Sequence, residues 1–238
     1  MNNEKILVQK KKKDWASRAD CEFYEDGMGL YARTKDLQVV QSYLKSCKGL
    51  ALDLPCGAGR WTEFLIKKGF IVVSADYNEL MLRTTRKRTG NASLRCDAFH
   101  LPFKKESFDA ILTMRLVFHY PRPRDLFSEL TASLKDNGIF VFDTLNKYSL
   151  RYWIQFPLDL YRRDVGQKLY FVTKRNIRKM LSDLNLEFVA VESHFLLPGR
   201  AYQHLPNLVV SALGFLERIL PRWLRGVSYW KVRKSSHP

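Results

Sequence analysis

The run Leu52-Asp53-Leu54-Pro55-Cys56-Gly57-Ala58-Gly59-Arg60 is an apolar strand that ends on an acid, makes a Gly-x-Gly turn and opens into a helical pattern over residues 61–68. Glycines at such a turn let the backbone bend sharply and approach a ligand without a Cβ in the way, and the helix behind them offers unpaired N–H groups. A second apolar strand, residues 70–75, ends at Asp76, placed to accept both hydroxyls of a ribose. This is chemistry for holding a nucleoside-bearing cofactor. A dinucleotide fits less well, because the third glycine's position is Thr62 and no second phosphate-cradling loop follows. Any single strand-end Asp serves as readily for capping a helix. Asp53, Asp76 and Asp97, each directly after an apolar strand, together point to a ligand.

These residues must be held by alternating elements. Strand patterns are expected at residues 49–54, 70–75, 93–96, 108–114, 138–143 and 186–192, with amphipathic segments between them and a helix over 36–46 leading into the first. Repeated βαβ units joined by right-handed connections give an α/β fold with a doubly wound, mostly parallel sheet. Residues 228–234 supply a seventh, antiparallel strand. The expected organisation is one domain: an N-terminal tail and lid over 1–47, a cofactor-binding core over 48–146, and acceptor-side inserts with closing strands over 147–238.

The ordered motifs, Asp53 to Gly59, then Asp76, then Asp97-Ala98-Phe99-x-Leu101-Pro102-Phe103, then Ser107-Phe108-Asp109-Ala110-Ile111, resemble those of class I S-adenosylmethionine-dependent methyltransferases, with their Rossmann-like seven-stranded sheet. The resemblance covers about residues 48–146. It implies S-adenosylmethionine as cofactor, with Asp53, Pro55, Gly57, Ala58 and Gly59 around the methionine part, Asp76 and Tyr77 at the ribose, and Asp97 with Ala98 at the adenine. Met114 and Arg115, at the end of the fourth strand, complete the expected cofactor set. A carboxylate near the turn suits a sulfonium better than the basic residues a polyphosphate needs, and Asp53 meets that demand. Pro55 departs from the family's usual residue, yet proline is tolerated at a strand end.

The acceptor side is expected from three segments outside this core. The stretch from Phe23 and Tyr24 to Arg33 could close as a lid, with Tyr31 and Arg33 resembling the aromatic and basic residues that meet the methionine carboxylate. Residues 143–147 and the aromatic run over 150–163 follow the fifth strand, and a long insert spans 196–226. Thr144-Leu145-Asn146 before an aromatic helix resembles ubiquinone-biosynthesis O-methyltransferases, which act on polyprenylated phenols. Those carry a Glu-x-x-Glu-His pattern after the fourth strand. Here that run is Arg115-Leu116-Val117-Phe118-His119, so a divalent ion has lost both carboxylates and no metal is expected. His119 is the candidate general base, an imidazole that can take a proton from a hydroxyl or amine. A packed or loop-bonded histidine is an equal reading, and alignment of the reactants can supply much of the rate by itself.

Charge narrows the partners. The 238 residues carry a net +16, and residues 146–238, with 16 basic and 6 acidic side chains, hold +10 of it. A basic surface attracts nucleic acid, anionic lipid or an anionic small substrate. Residues 205–223 form an apolar helix pattern that ends in Arg218, Arg222, Trp223 and Arg225, which suits an anionic membrane interface. A lid helix with a basic end is the competing reading. Neither the Asn/Asp-Pro-Pro-aromatic motif of base-amino methylation nor a Pro-Cys nucleophile follows the fourth strand, so nucleic acid is the weaker partner. The reading is thus an O-methyltransferase for a small or lipid-linked hydrophobic acceptor, with a tRNA or RNA methyltransferase and a non-catalytic binding protein as alternatives. A charged N-terminus, cysteines without metal or CxxC spacing, and no apolar run of spanning length indicate a cytoplasmic chain, peripheral to a membrane if the basic end binds one.

Overall fold

Strand β1 (Leu50–Asp53) lies in the interior of the sheet because it is buried on both faces, and a strand buried on both sides reads as a largely continuous apolar run. The structure, a computed structural model, describes residues 29–154, 169–199 and 201–236. The expected lid residues Phe23 and Tyr24 and most of the aromatic run, residues 155–163, lie outside these. Around β1 the chain forms α1 (Leu30–Tyr43), α2 (Arg60–Lys67), β2 (Ile71–Asp76), α3 (Glu79–Thr89), β3 (Ser93–Arg95), β4 (Phe108–Thr113), α4 (Arg124–Ala132) and β5 (Leu134–Asn146). There follow β6 (Phe171–Val172), α5 (Lys174–Asp183), β7 (Leu186–His194), α6 (Asn207–Ile219) and β8 (Val227–Lys234). The sheet runs β3-β2-β1-β4-β5-β8-β7, parallel except for β8, which pairs antiparallel with both neighbours.

The seven expected strands are all present. An eighth, β6, pairs parallel with Leu145 and Asn146, beyond the end of β4. Two residues are too few to leave a period-two signal in the sequence. α1 begins at Leu30, six residues before the expected start, and brings Asp36 into the body of the protein.

Period-two alternation divides the core between the two faces. Ile139 and Val141 pack on the side of α1 and α2 with Val40, Tyr43, Trp61 and Leu65. Phe140 and Phe142 pack on the side of α4 and α5 with Leu126, Phe127, Ile177 and Leu181. Local signals fix the helix ends: the Asn78 side chain accepts from the N–H groups of Leu80 and Met81 to start α3, Gly90 closes it in the left-handed region, and Thr173 caps α5. The chain runs from β1 out to β3 and then returns to β4 on β1's other side. The carboxyl ends of β1 and β4 therefore border a crevice where the winding reverses.

Candidate cofactor site

The first cleft lies at that crevice. Leu54 to Ala58, Asp76 to Asn78, Cys96 to Ala98 and Met114 to Leu116 line it at the strand ends, joined by His119 and Tyr120 from the turn after β4 and by Asp36, Arg60 and Trp61. The glycines divide the work of the turn. Gly57 has φ +52°, and a Cβ there would meet nothing within 4 Å, so the space belongs to the cleft. Gly59 has φ +86° at the start of α2, and a Cβ there would lie 3.1 Å from the backbone of Thr85 on α3. It is needed for helix packing, and it does not line the cleft.

Asp76 is tied to the turn rather than merely near it. Its Oδ2 accepts from the Gly57 N–H at 2.9 Å and its Oδ1 from the Asn78 N–H at 2.9 Å. Burial pushes its carboxyl up against the pull of those backbone donors. Each oxygen keeps a second lone pair, so the carboxylate can still accept from a ligand's hydroxyls. Asp97 Oδ1 accepts from the Phe99 N–H at 3.0 Å, and Glu129 accepts from the Leu101 N–H at 2.7 Å, which holds the Asp-Ala-Phe loop as the cleft's far wall.

Asp53 departs from expectation. It is fully buried, does not line the cleft, and accepts from the Thr62 hydroxyl at 2.7 Å. The chain turns only after Leu54, so Asp53 stays behind the turn as a brace for the first turn of α2. Its Oδ1 is buried with no hydrogen bond within the protein. Burial pushes its carboxyl up to about 7, partly offset by Thr62 and reinforced by Asp76.

Arg115 and its partners were only half visible in the sequence. Its φ is +64°, its N–H donates to Asp143 at 2.7 Å, and its guanidinium donates to both oxygens of Asp36 at 3.0 and 2.8 Å. Arg60 donates to Asp36 at 3.1 Å and stacks over Trp61, its guanidinium carbon 4.3 Å from the ring centroid. Tyr229 also donates to Asp36. Burial alone would raise the Asp36 carboxyl, but Arg115 and then Arg60 outweigh it and hold it below the usual carboxylate range. Two arginines and two acids thus balance at the cleft floor, and Asp36, Arg60 and Trp61 join the site without having been expected there.

Tyr31 and Arg33 also depart from expectation, since neither lines this cleft. Tyr31 points into a second cavity beneath α6, donates to Glu217 at 3.2 Å and stacks on Tyr202. On α1, Asp36 lies about 140° round the helix from Tyr31, so Asp36 faces this cleft while Tyr31 faces α6. Tyr202 donates to the other oxygen of Glu217 at 2.9 Å. His119 does line the cleft, on a 3₁₀ turn (Val117–His119) with its Nδ1 buried. Of the basic residues expected at an interface, Arg225 is turned inward and donates to the carbonyls of Ser193 and Glu217. Among the described residues no group of three or more His, Cys, Asp or Glu side chains converges on a metal position. No helix among them is long and apolar enough to cross a membrane.

Comparison with known proteins agrees with this geometry. Residues 52–142 match the family described as "Methyltransferase domain". A ubiquinone biosynthesis O-methyltransferase of Pasteurella multocida is 28% identical over 117 residues, 43% of this chain and 48% of its own length. The chain spans less than half the length of the curated relatives it matches. A SAM-dependent methyltransferase of Thermotoga maritima superposes with TM-score 0.63 at 19% identity, over 90% of this chain and 93% of its own. The [4+2]-cyclase SpnF superposes with TM-score 0.61 at 16% identity, over 85% and 81%. The open space at Gly57 and the Asp76 carboxylate in the cleft wall fit the ribose and methionine parts of S-adenosylmethionine. Residues 52–142 thus match a methyltransferase domain, set in a fold that the chain shares with solved S-adenosylmethionine-dependent methyltransferases.

Proposed function

We propose that the protein is a methyltransferase that methylates an oxygen of a small or lipid-linked hydrophobic acceptor at or near a membrane surface. The observation that carries it is the cleft at the β1/β4 reversal, with Asp76 fastened to the Gly57 turn on one side and His119 on the other. A cyclase shares the fold, so the fold alone does not choose the reaction. When bound, S-adenosylmethionine supplies an electrophilic methyl group on a sulfonium.

The chain's own residues do the rest. Asp76 accepts the ribose hydroxyls, Asp97 and Ala98 border the adenine, and Tyr77, Met114 and Pro55 enclose the remainder. His119 Nε2 takes the acceptor's hydroxyl proton, because Nδ1 is buried. Apolar walls that include Leu54, Trp61, Met114 and Leu116 limit water at the reacting atoms, and alignment supplies much of the acceleration. Support for an oxygen on a hydrophobic acceptor comes from the relatives named for ubiquinone biosynthesis and from Tyr148 and Trp153, exposed just past β5.

The test is transfer of labelled methyl from S-adenosylmethionine to a polyprenylated phenol in detergent, to a short soluble phenol and to tRNA. Label on the phenols, falling roughly 100-fold or more in His119→Ala with cofactor affinity unchanged, is the expected result. Label on tRNA alone would overturn the acceptor assignment, and full turnover in His119→Ala would remove the base.

A further inference from the structure

Helix α6 has its apolar face on the outside. Leu208, Ala212, Phe215 and Ile219 recur at the spacing of one helical stripe, and that stripe faces solvent, with Leu208 82%, Phe215 62% and Ile219 61% exposed. Trp223, on the 3₁₀ turn that follows, is 56% exposed and extends the same end. The opposite face carries Val210, Gly214 and Glu217 and lies against the body. There Gly214 lets Tyr31 approach closely, and buried Glu217 is gripped by the hydroxyls of Tyr31 and Tyr202. A helix whose inner face is already packed on the body through Val210, Leu213 and Glu217, with a second apolar stripe left outside, is not built to close a cleft as a lid.

We infer that this face is a membrane-docking surface, with α6 lying in the plane of an anionic bilayer and its apolar stripe below the headgroups. Charge selects the occupant. Glu217 is the only acid between residues 196 and 226, and it is turned inward, while Arg218 and Arg222 are exposed beside the stripe. Arginines flanking an inserted apolar face meet lipid phosphates, and a tryptophan ring settles at headgroup depth. A second copy of the chain would instead bring the same arginines against one another. The Asn146 side chain donates to the carbonyls of Trp223 and Arg225 at 2.7 and 3.0 Å, so the docking end is tied to the strand end that carries Asp143 and Thr144. Docking there presents the cleft side of the sheet to the bilayer, where a lipid-linked acceptor would reside. The docking itself is independent of the methyltransferase reading.

Sedimentation of the full chain with vesicles of phosphatidylcholine alone, or with about one-third phosphatidylglycerol, tests it. Binding to the anionic vesicles is expected, weakened roughly tenfold or more by Phe215→Ser with Ile219→Ser and by Arg218→Glu with Arg222→Glu. Both pairs are exposed, so thermal melting should be unchanged, and S-adenosylhomocysteine binding on the same samples reports the cleft separately. A blue shift of tryptophan emission on binding should vanish in Trp223→Phe. Absence of binding would overturn the proposal, as would binding that salt abolishes and the serine pair leaves intact. A dimer in gel filtration that the serine pair dissociates would place a second copy on this face and overturn it equally.

Discussion

At the scale of residues, three acids that look alike in the sequence do three different things. Asp76 sits in the cleft wall, Asp97 holds the loop opposite, and Asp53 is sealed behind the turn with one oxygen lacking a protein partner. The sequence showed each as a strand-end acid, and what separates them is the residue at which the chain leaves the strand. Asp36 was not legible at all. Its partners Arg60, Arg115 and Tyr229 lie up to 193 positions away, and no local spacing encodes such a cluster. The sealed position of Asp53 makes stability depend on pH. Its folded carboxyl titrates near 7, above the unfolded value near 3.8, so its protonated form is favoured by folding and the stability it contributes is lost as pH rises through about 7. Relative to Asp53→Asn, the native protein should therefore lose stability between pH 5 and about 8, with a slope no steeper than about 1.4 kcal/mol per pH unit for one proton. Denaturant melts of both proteins across that range check this. Parallel curves would mean that Asp53 does not titrate as its burial requires.

At the scale of elements, most of the fold was legible because the signals are local. Apolar runs marked the seven longer strands, while the helix ends that Asn78, Thr173 and Gly90 fix came only from the structure. The two-residue β6 left no pattern, and α1 started early because its first turn is specified by contacts with Tyr202 and Glu217 rather than by its own periodicity. The outward face of α6 was hidden for a related reason: sequence gives the stripe but not the side on which the helix is held. The Gly-x-Gly turn joins element to function and can be taken apart experimentally. Gly57→Ala should cost roughly 1–2 kcal/mol for its left-handed backbone and abolish cofactor binding, because its Cβ enters ligand space. Gly59→Ala should cost more, roughly 2 kcal/mol or above, because its Cβ also presses on Thr85. Thermal melts beside ligand titrations distinguish the two. Equal stability losses, or binding retained in Gly57→Ala, would contradict this division.

At the scale of the whole molecule, the sheet reversal, the charge distribution and the outward face of α6 have a common orientation. The cleft opens at the carboxyl ends of β1 and β4, and the insert that follows β7 returns to the same end of the sheet before β8. The net charge of +10 in residues 146–238 was readable as a count, but only the fold places Arg218 and Arg222 outside and Arg225 inside. The central claim is that the β1/β4 crevice holds S-adenosylmethionine through Asp76. Its most direct test is calorimetric titration of S-adenosylhomocysteine into the native protein and into Asp76→Ala. The account predicts one site per chain, weakened by about 1.5–3 kcal/mol in the variant, the worth of hydrogen bonds to a charged acceptor. No binding by the native protein, or equal affinity in Asp76→Ala, would contradict it.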